Sequence, residues 1–271
     1  MARNARKATG TIRIGIGGWV FEPWRGTFYP DKLPQKRELE YAAGWLTSIE
    51  VNGTYYGAQK PESFARWHEE TPEDFVFALK GPRYATNRRV LAEAGESIER
   101  FFGGGVMALK DKLGPINWQF MAAKKFDARD FEAFLKLLPK KVDGRAIRHA
   151  VEVRHESFAV AEFVAMARAY GVAIVVAGDS AFPGMGDVTA PFVYARIMGT
   201  GEKHKLGYSK KALDVWAGRA QAWAAGKAPM GIETVTKAKA DGKPRDVYLY
   251  VISGHKERNP AAAQALIERV R

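Results

Sequence analysis

Eight short runs with the two-residue period of a β-strand recur through the 271-residue chain, and nearly every pair is separated by a stretch with helical periodicity. The strand-like runs are Ile12 to Gly17, Ile49 to Tyr55, Phe75 to Lys80, Pro115 to Phe120, Ala150 to His155, Ala173 to Ala177, Phe192 to Met198 and Val247 to Ile252. The helical ones are Gln35 to Leu46, Pro61 to Glu70, Asn87 to Phe102, Ala128 to Leu138, Phe158 to Tyr170, Lys210 to Ala225 and Pro260 to Val270. Strands that alternate with helices pair parallel, because the crossover helix returns the chain to the edge it left. The pattern predicts an α/β fold of the TIM type, a closed (β/α)8 barrel. The sixth and seventh runs are joined by a short Gly- and Pro-rich segment, Gly178 to Pro191, so the helix after the sixth strand is expected to be short or absent. No linker-like stretch divides the remainder, which makes residues 12–271 a single barrel domain behind a basic tail, residues 1–11.

Parity within the runs then places the polar side chains. Ile49 and Val51 leave Glu50, Asn52 and Thr54 on the opposite face; Phe75, Phe77 and Leu79 leave Lys80; Ile116, Trp118 and Phe120 leave Asn117 and Gln119. Val151 and Val153 leave Glu152 and Arg154, and Val193, Ala195 and Ile197 leave Tyr194 and Arg196. The apolar set must face the helices, so the polar set faces the barrel interior. A charge there costs several kcal/mol unless it is paired, on the order of what a buried ion loses on leaving water. Glu50, Glu152 and Asp179 are available to balance Lys80, Arg154 and Arg196, mostly toward the strand ends where such barrels carry their active sites. The expected catalytic groups are therefore Glu50, Glu152, Lys80, His155 and Asp179, with Glu50 and Glu152 as a carboxylate pair for hydrolase-like acid and base work.

The substrate would be held by Trp19, Trp24, Asn52, Tyr55, Gln119, Arg154, Tyr194 and Arg196. Trp19 and Trp24 stand with Phe28 and Tyr29 in a loop that leaves the first strand at Gly17-Gly18, and they read as a packed cap or as a pocket wall. Lys203 and Lys205 join this set because their glycine-bearing loop leads into a helix start at Ser209, where exposed amides favour an anion.

Composition narrows the partners. A net charge of +12 favours small anionic ligands, with nucleic acid as the alternative. The absence of cysteine excludes disulfides and thiolate metal sites. His68, His149, His155, His204 and His255 show no HxH or HExxH spacing, so no metal is expected; magnesium on Glu50, Glu152 and Asp179 is the weaker reading. Gly15-Ile-Gly-Gly lacks the spacing of a nucleotide loop, and no cofactor is expected. No apolar run approaches the roughly 20 residues that span a bilayer, and the basic start is unlike a signal peptide, which predicts a cytoplasmic protein without a membrane partner. Two functions follow: an enzyme acting on a small anionic or phosphorylated compound, and, as the alternative, a nucleic-acid-binding barrel without catalysis. Oligomeric state is not legible.

The motifs taken together resemble the YecE-like family, the domain of unknown function 72. They are Gly15-Ile-Gly-Gly-Trp19, Trp24-Arg-Gly26, Phe28-Tyr-Pro30, Glu50-Val-Asn52 with Thr54-Tyr-Tyr56, Trp67, Thr71-Pro72, Lys80, Gly114-Pro115 with Gln119, Glu152-Val-Arg-His-Glu-Ser157, Tyr194 with Arg196, and Tyr208-Ser209. The resemblance implies a TIM-type barrel and supplies no reaction. The chain departs from the family pattern at Thr86-Asn87, Phe120-Met-Ala122, Met198-Gly199 and Val251 to His255.

Overall fold

The computed structural model describes residues 9–237 and 240–271; most of the basic tail lies outside them. Its strands are β1 (Ile12–Gly17), β2 (Ser48–Val51), β3 (Val76–Lys80), β4 (Leu113–Gln119) and β5 (His149–Glu152). After these come β6, in two pieces (Ala173–Ile174 and Val176–Gly178), β7 (Phe192–Ile197) and β8 (Asp246–Val251). All neighbours pair parallel in sequence order, and β1 also pairs with β8. The circle closes through β6: its first piece pairs with β5 and its second with β7. Between the pieces the Val175 amide still donates to the Val151 carbonyl, 3.0 Å away. The free edge of the first piece is covered by Thr189, whose hydroxyl accepts from the Ile174 amide at 3.1 Å and donates to the Val172 carbonyl at 2.6 Å. The fold is a TIM-type barrel.

Outside the barrel lie α1 (Glu38–Trp45), α2 (Pro61–Glu69), α3 (Gly95–Gly103), α4 (Ala128–Leu137), α5 (Ala161–Tyr170), α6 (Lys210–Ala224) and α7 (Asn259–Val270). Ser209 caps α6 by accepting from the Ala212 amide, and Pro260 occupies the first turn of α7, where its missing N–H costs nothing. No helix follows β6 among the described residues, as the Gly/Pro-rich connection implied. None of the described helices is long and apolar enough to cross a membrane.

Two expected elements are shorter than their periodicity suggested. β2 stops at Val51 because Asn52 already has helical backbone angles and opens a single turn, Gly53–Tyr56. Thr54 anchors that turn by donating to the Lys80 carbonyl at 2.7 Å. The run from Asn87 to Phe102 becomes helical only at Leu91, where the Leu91 and Ala92 amides are held by the Asp130 carboxylate of α4; α3 itself starts at Gly95.

Parity sorts the core as predicted. Ile49, Val51, Phe75, Phe77, Leu79, Ile116, Trp118, Phe120, Val151, Val153, Val193, Ala195 and Ile197 pack between strands and helices. Val76, Ala78, Ala150, Val175, Phe192, Tyr194, Tyr248 and Tyr250 fill the barrel itself. Full burial of each large apolar side chain stabilises the fold by about 1.5–3 kcal/mol. On β1 two of the inward positions are glycines for lack of room: a methyl on Gly15 would lie 1.8 Å from the Ser48 carbonyl oxygen, and one on Gly17 would lie 2.7 Å from the Asn52 side-chain Nδ2.

Candidate active site

The inward charges of β2, β3, β5 and β7, with the amides of Asn117 and Gln119 from β4, meet at the C-terminal end of the barrel. Arg196 of β7 lies at the centre. Its Nη2 donates to Glu50 Oε1 at 3.0 Å, and its Nη1 to Glu152 Oε2 at 2.5 Å. Glu50 accepts in addition from the Tyr194 hydroxyl at 2.6 Å. Glu152 accepts from Asn117 Nδ2 at 3.2 Å and, through Oε1, from Arg154 Nε and Nη2 at 2.9 and 2.6 Å. The side-chain oxygen of Gln119 gathers the cations: Lys80 Nζ at 2.5 Å, Arg154 Nη2 at 2.9 Å and Arg196 Nη1 at 3.4 Å. Glu50 and Glu152 are fully buried, Arg196 is 5% exposed and Lys80 6%. Arg154 alone among the charged members reaches the surface, with 21% of its side chain exposed.

Burial and pairing set the protonation of the network's members. Burial alone would raise the Glu152 carboxyl, but Arg196, Arg154 and Lys80 together outweigh it and hold it down at about 2. With both oxygens engaged by cations, Glu152 orients and neutralises; it is not free to shuttle a proton near neutral pH. Burial lowers the Arg196 guanidinium, and the two glutamates more than restore it, so it stays charged. Burial, reinforced by Glu50, pushes the Tyr194 phenol well above its usual range and keeps it a donor. Lys80 behaves differently. Burial first, then the neighbouring Arg196, lowers its ammonium to about 8, against the weaker pull of Glu50 and Glu152.

Two aromatic rings flank the cations. The Tyr55 ring lies 4.8 Å from Lys80 Nζ, and the Phe182 ring 4.3 Å from the Arg154 guanidinium. Beneath them Tyr194 packs on Tyr250, whose hydroxyl bonds Ser48 at 2.7 Å. Phe182 escaped sequence reading, since it sits in the helix-free connection after β6 where no periodicity marks direction. Asn117, Ser48 and Tyr250 carried the signal of inward parity.

The remaining expected site residues stand apart. Asp179, with a left-handed backbone, is exposed and accepts from the Trp216 indole at 2.8 Å; it has no arginine partner among the described residues. His155 Nδ1 pairs with Ser157, bonding its hydroxyl at 2.9 Å and capping the turn that follows β5. Trp24 is buried as part of a packed cap: its indole donates to the Lys256 carbonyl at 3.0 Å, and its ring meets Phe21, Phe28 and Tyr29 edge to face. Trp19 packs on Trp67 and Phe77. Asn52 faces Gly17, and Lys203 and Lys205 are exposed in their loop. Among the described residues no three His, Asp or Glu side chains converge as metal ligands. A divalent ion at Glu50 and Glu152 would have to displace the Arg196 guanidinium that already occupies them.

Two grooves lie beside this centre, which Thr54 adjoins through the Lys80 carbonyl. One of about 200 Å³ is lined by Thr54, Phe64, Pro82, Tyr84, Arg100 and Phe101; another is bordered by Arg83, Tyr84, Asn87 and Arg88. Between them the Arg83 guanidinium lies 5.9 Å from the Tyr56 ring and 5.5 Å from the Tyr84 ring, and both tyrosines are exposed.

The molecule is thus a TIM-type barrel whose C-terminal end encloses an arginine-centred ion network. It belongs to the DUF72 family, described as "Protein of unknown function DUF72", whose model matches residues 13–271. It is 31% identical to the UPF0759 protein YecE of Escherichia coli over 150 residues, 54% of this chain and 50% of the relative. It is 25% identical to the UPF0759 protein YunF of Bacillus subtilis over 114 residues, 40% of this chain and 39% of that one. The matched stretch therefore spans half or less of these curated relatives. Among solved structures, a DUF72 protein from Thermotoga maritima superposes with a TM-score of 0.71 at 22% identity, covering 95% of this chain and 97% of that one. One from Enterococcus faecalis gives 0.70 at 16%, covering 96% and 95%. A xylose isomerase-like TIM barrel/4-hydroxyphenylpyruvate dioxygenase fusion protein gives 0.51 at 14%, covering 97% of this chain and 44% of that one. At these identities the structural likenesses speak for the fold alone.

Proposed function

We propose that this barrel is an enzyme acting on a small anionic substrate at its C-terminal mouth, with Arg154 as the anion anchor and Lys80 as the group that exchanges a proton. Glu50, Glu152 and Arg196 form the fixed frame beneath. The observation that carries this reading is the charge of the network: among the described residues Lys80, Arg154 and Arg196 face only Glu50 and Glu152, which leaves one positive charge in surplus inside a low-dielectric site. The charged member nearest solvent is a cation, Arg154, and it retains Nη1 without a protein partner among the described residues. Acid and base work falls to Lys80, because Glu152 is held far below neutral pH.

Thermal unfolding with phosphate, pyrophosphate and short carboxylates tests this. A ligand that binds the folded protein raises its midpoint in proportion to RT ln(1 + [L]/Kd), and the Arg154→Gln variant is expected to lose that rise. If no anion moves the midpoint at millimolar concentration, the reading fails. The exposed Tyr56–Arg83–Tyr84 surface supports the second reading, single-stranded nucleic acid stacked on the rim. That reading requires oligonucleotide affinity to fall steeply with salt and to weaken in a Tyr56→Ala, Tyr84→Ala double variant.

A further inference from the structure

Lys80 differs from the other cations of the network in being a primary amine, and its surroundings suit one particular use of that amine. Its Nζ donates to an uncharged acceptor, Gln119 Oε1, and not to a carboxylate. The ring of Tyr55 shields it on one side, at 4.8 Å. The charged groups around it are Glu50 from the neighbouring β2, Glu152 and Arg154 from the β5 end, and Arg196 from β7 across the barrel; its other neighbour, β4, contributes the uncharged Gln119. Both carboxylates are already held by arginines, so neither is free to fix the Lys80 proton in an ion pair. The same Gln119 oxygen also binds Arg154 Nη2, so an amine and a permanent guanidinium converge on one atom.

We propose that Lys80 is a covalent site, its amine condensing with the carbonyl carbon of a small oxo acid whose carboxylate is held by Arg154. This rests on the anionic-substrate reading above and names the substrate class for the same site. A carboxylate one bond from a carbonyl carbon matches a guanidinium and an amine that share a single acceptor. The neutral amine attacks the carbonyl carbon; a C–N bond forms as the C–O π bond breaks, and one amine proton moves to oxygen. The carbinolamine then loses its hydroxyl with the second amine proton as water, leaving a C=N bond. Amine and carbonyl are thereby converted to imine and water with no change of oxidation state. Reaction begins from the unprotonated amine, which the burial of Lys80 makes accessible near pH 8.

The test is reductive trapping on the full chain. Pyruvate or glyoxylate is added with borohydride, which delivers hydride to any imine, and the adduct is mapped by peptide mass spectrometry. One adduct on Lys80 is expected, rising with pH through about 8, competed by lactate, and reduced roughly tenfold in Arg154→Gln, the worth of one charge-assisted hydrogen bond. A Lys80→Arg variant should give no adduct at that position; should it fail to fold, the mapping on the natural chain decides by itself. Adduct spread over exposed lysines with none on Lys80 overturns the proposal. If pyruvate and lactate raise the unfolding midpoint equally but nothing is trapped, the imine falls and the anion site stands. If neither raises it and nothing is trapped, both fall.

Discussion

At position 152 a single carboxylate accepts hydrogen bonds from two arginines and an asparagine with no access to water. Its proton affinity makes this measurable. The unfolded chain protonates Glu152 near its ordinary value of 4.5 and the folded chain only near 2, so the unfolded state binds the proton more tightly. The group therefore contributes about 3 kcal/mol that is present above pH 4.5 and lost as pH falls toward 2. Glu152→Gln should cost about 3–5 kcal/mol at pH 7, since it leaves Arg154 and Arg196 buried with less countercharge, and should flatten the acid limb of the stability curve. Urea unfolding at pH 7 and pH 3 reads both; a loss below 1 kcal/mol at pH 7 would contradict the network. Lys80 also binds its proton less tightly in the folded chain, but there the fold disfavours the charged form instead of favouring it. Its folded-state value is depressed from 10.5 to about 8, so the folded chain sheds the proton first, and holding it costs about 3 kcal/mol below pH 8. Wild type should gain on a Lys80→Met variant by that amount as pH rises from 8 to 10.5. Parallel stability curves over that interval would show that the amine is not desolvated in the fold.

Among the elements, β6 is the weak stave. It is cut in two at Val175, and its first piece is flanked on one side by β5 and on the other by the hydroxyl of Thr189 in place of a strand. Thr189→Val keeps the volume but strands the Ile174 amide and the Val172 carbonyl, and is expected to cost about 1–3 kcal/mol, with faster amide exchange confined to β6. An unchanged unfolding midpoint would mean that water replaces the hydroxyl. A second element had a legible signal that periodicity passed over. Asp143 and Gly144, both with positive φ, form the two-residue turn of a small hairpin between Lys141–Val142 and Arg145–Ala146, the pairing that an Asp-Gly dipeptide favours.

For the molecule as a whole, the barrel and the inner ion network could be read from residue types because a parallel strand is buried on both faces. A charge such as Glu152 between Val151 and Val153 has only the interior to enter, and the same logic placed Glu50, Lys80 and Arg196. That logic stops where the pleat stops. Asp179 and His155 follow strands closely in sequence, but a left-handed backbone at the first and a turn cap at the second turn them away from the centre, and Phe182 arrives from a connection with no period at all. With eight staves shared by the outer core and the barrel interior, the barrel is expected to unfold in one transition by circular dichroism and tryptophan fluorescence alike; separated midpoints would show independent units.

Arg196 joins Glu50, 146 positions earlier in the chain, to Glu152, 44 positions earlier, across staves that are not neighbours. A partly folded chain whose hoop is still open exposes these ions to water, where their mutual attraction is nearly worthless. The bracing is gained only at the final closure, so the ion network arises together with the last step of assembly. A nascent or damaged copy therefore has no half-braced form: these ions are either locked to one another or open to water.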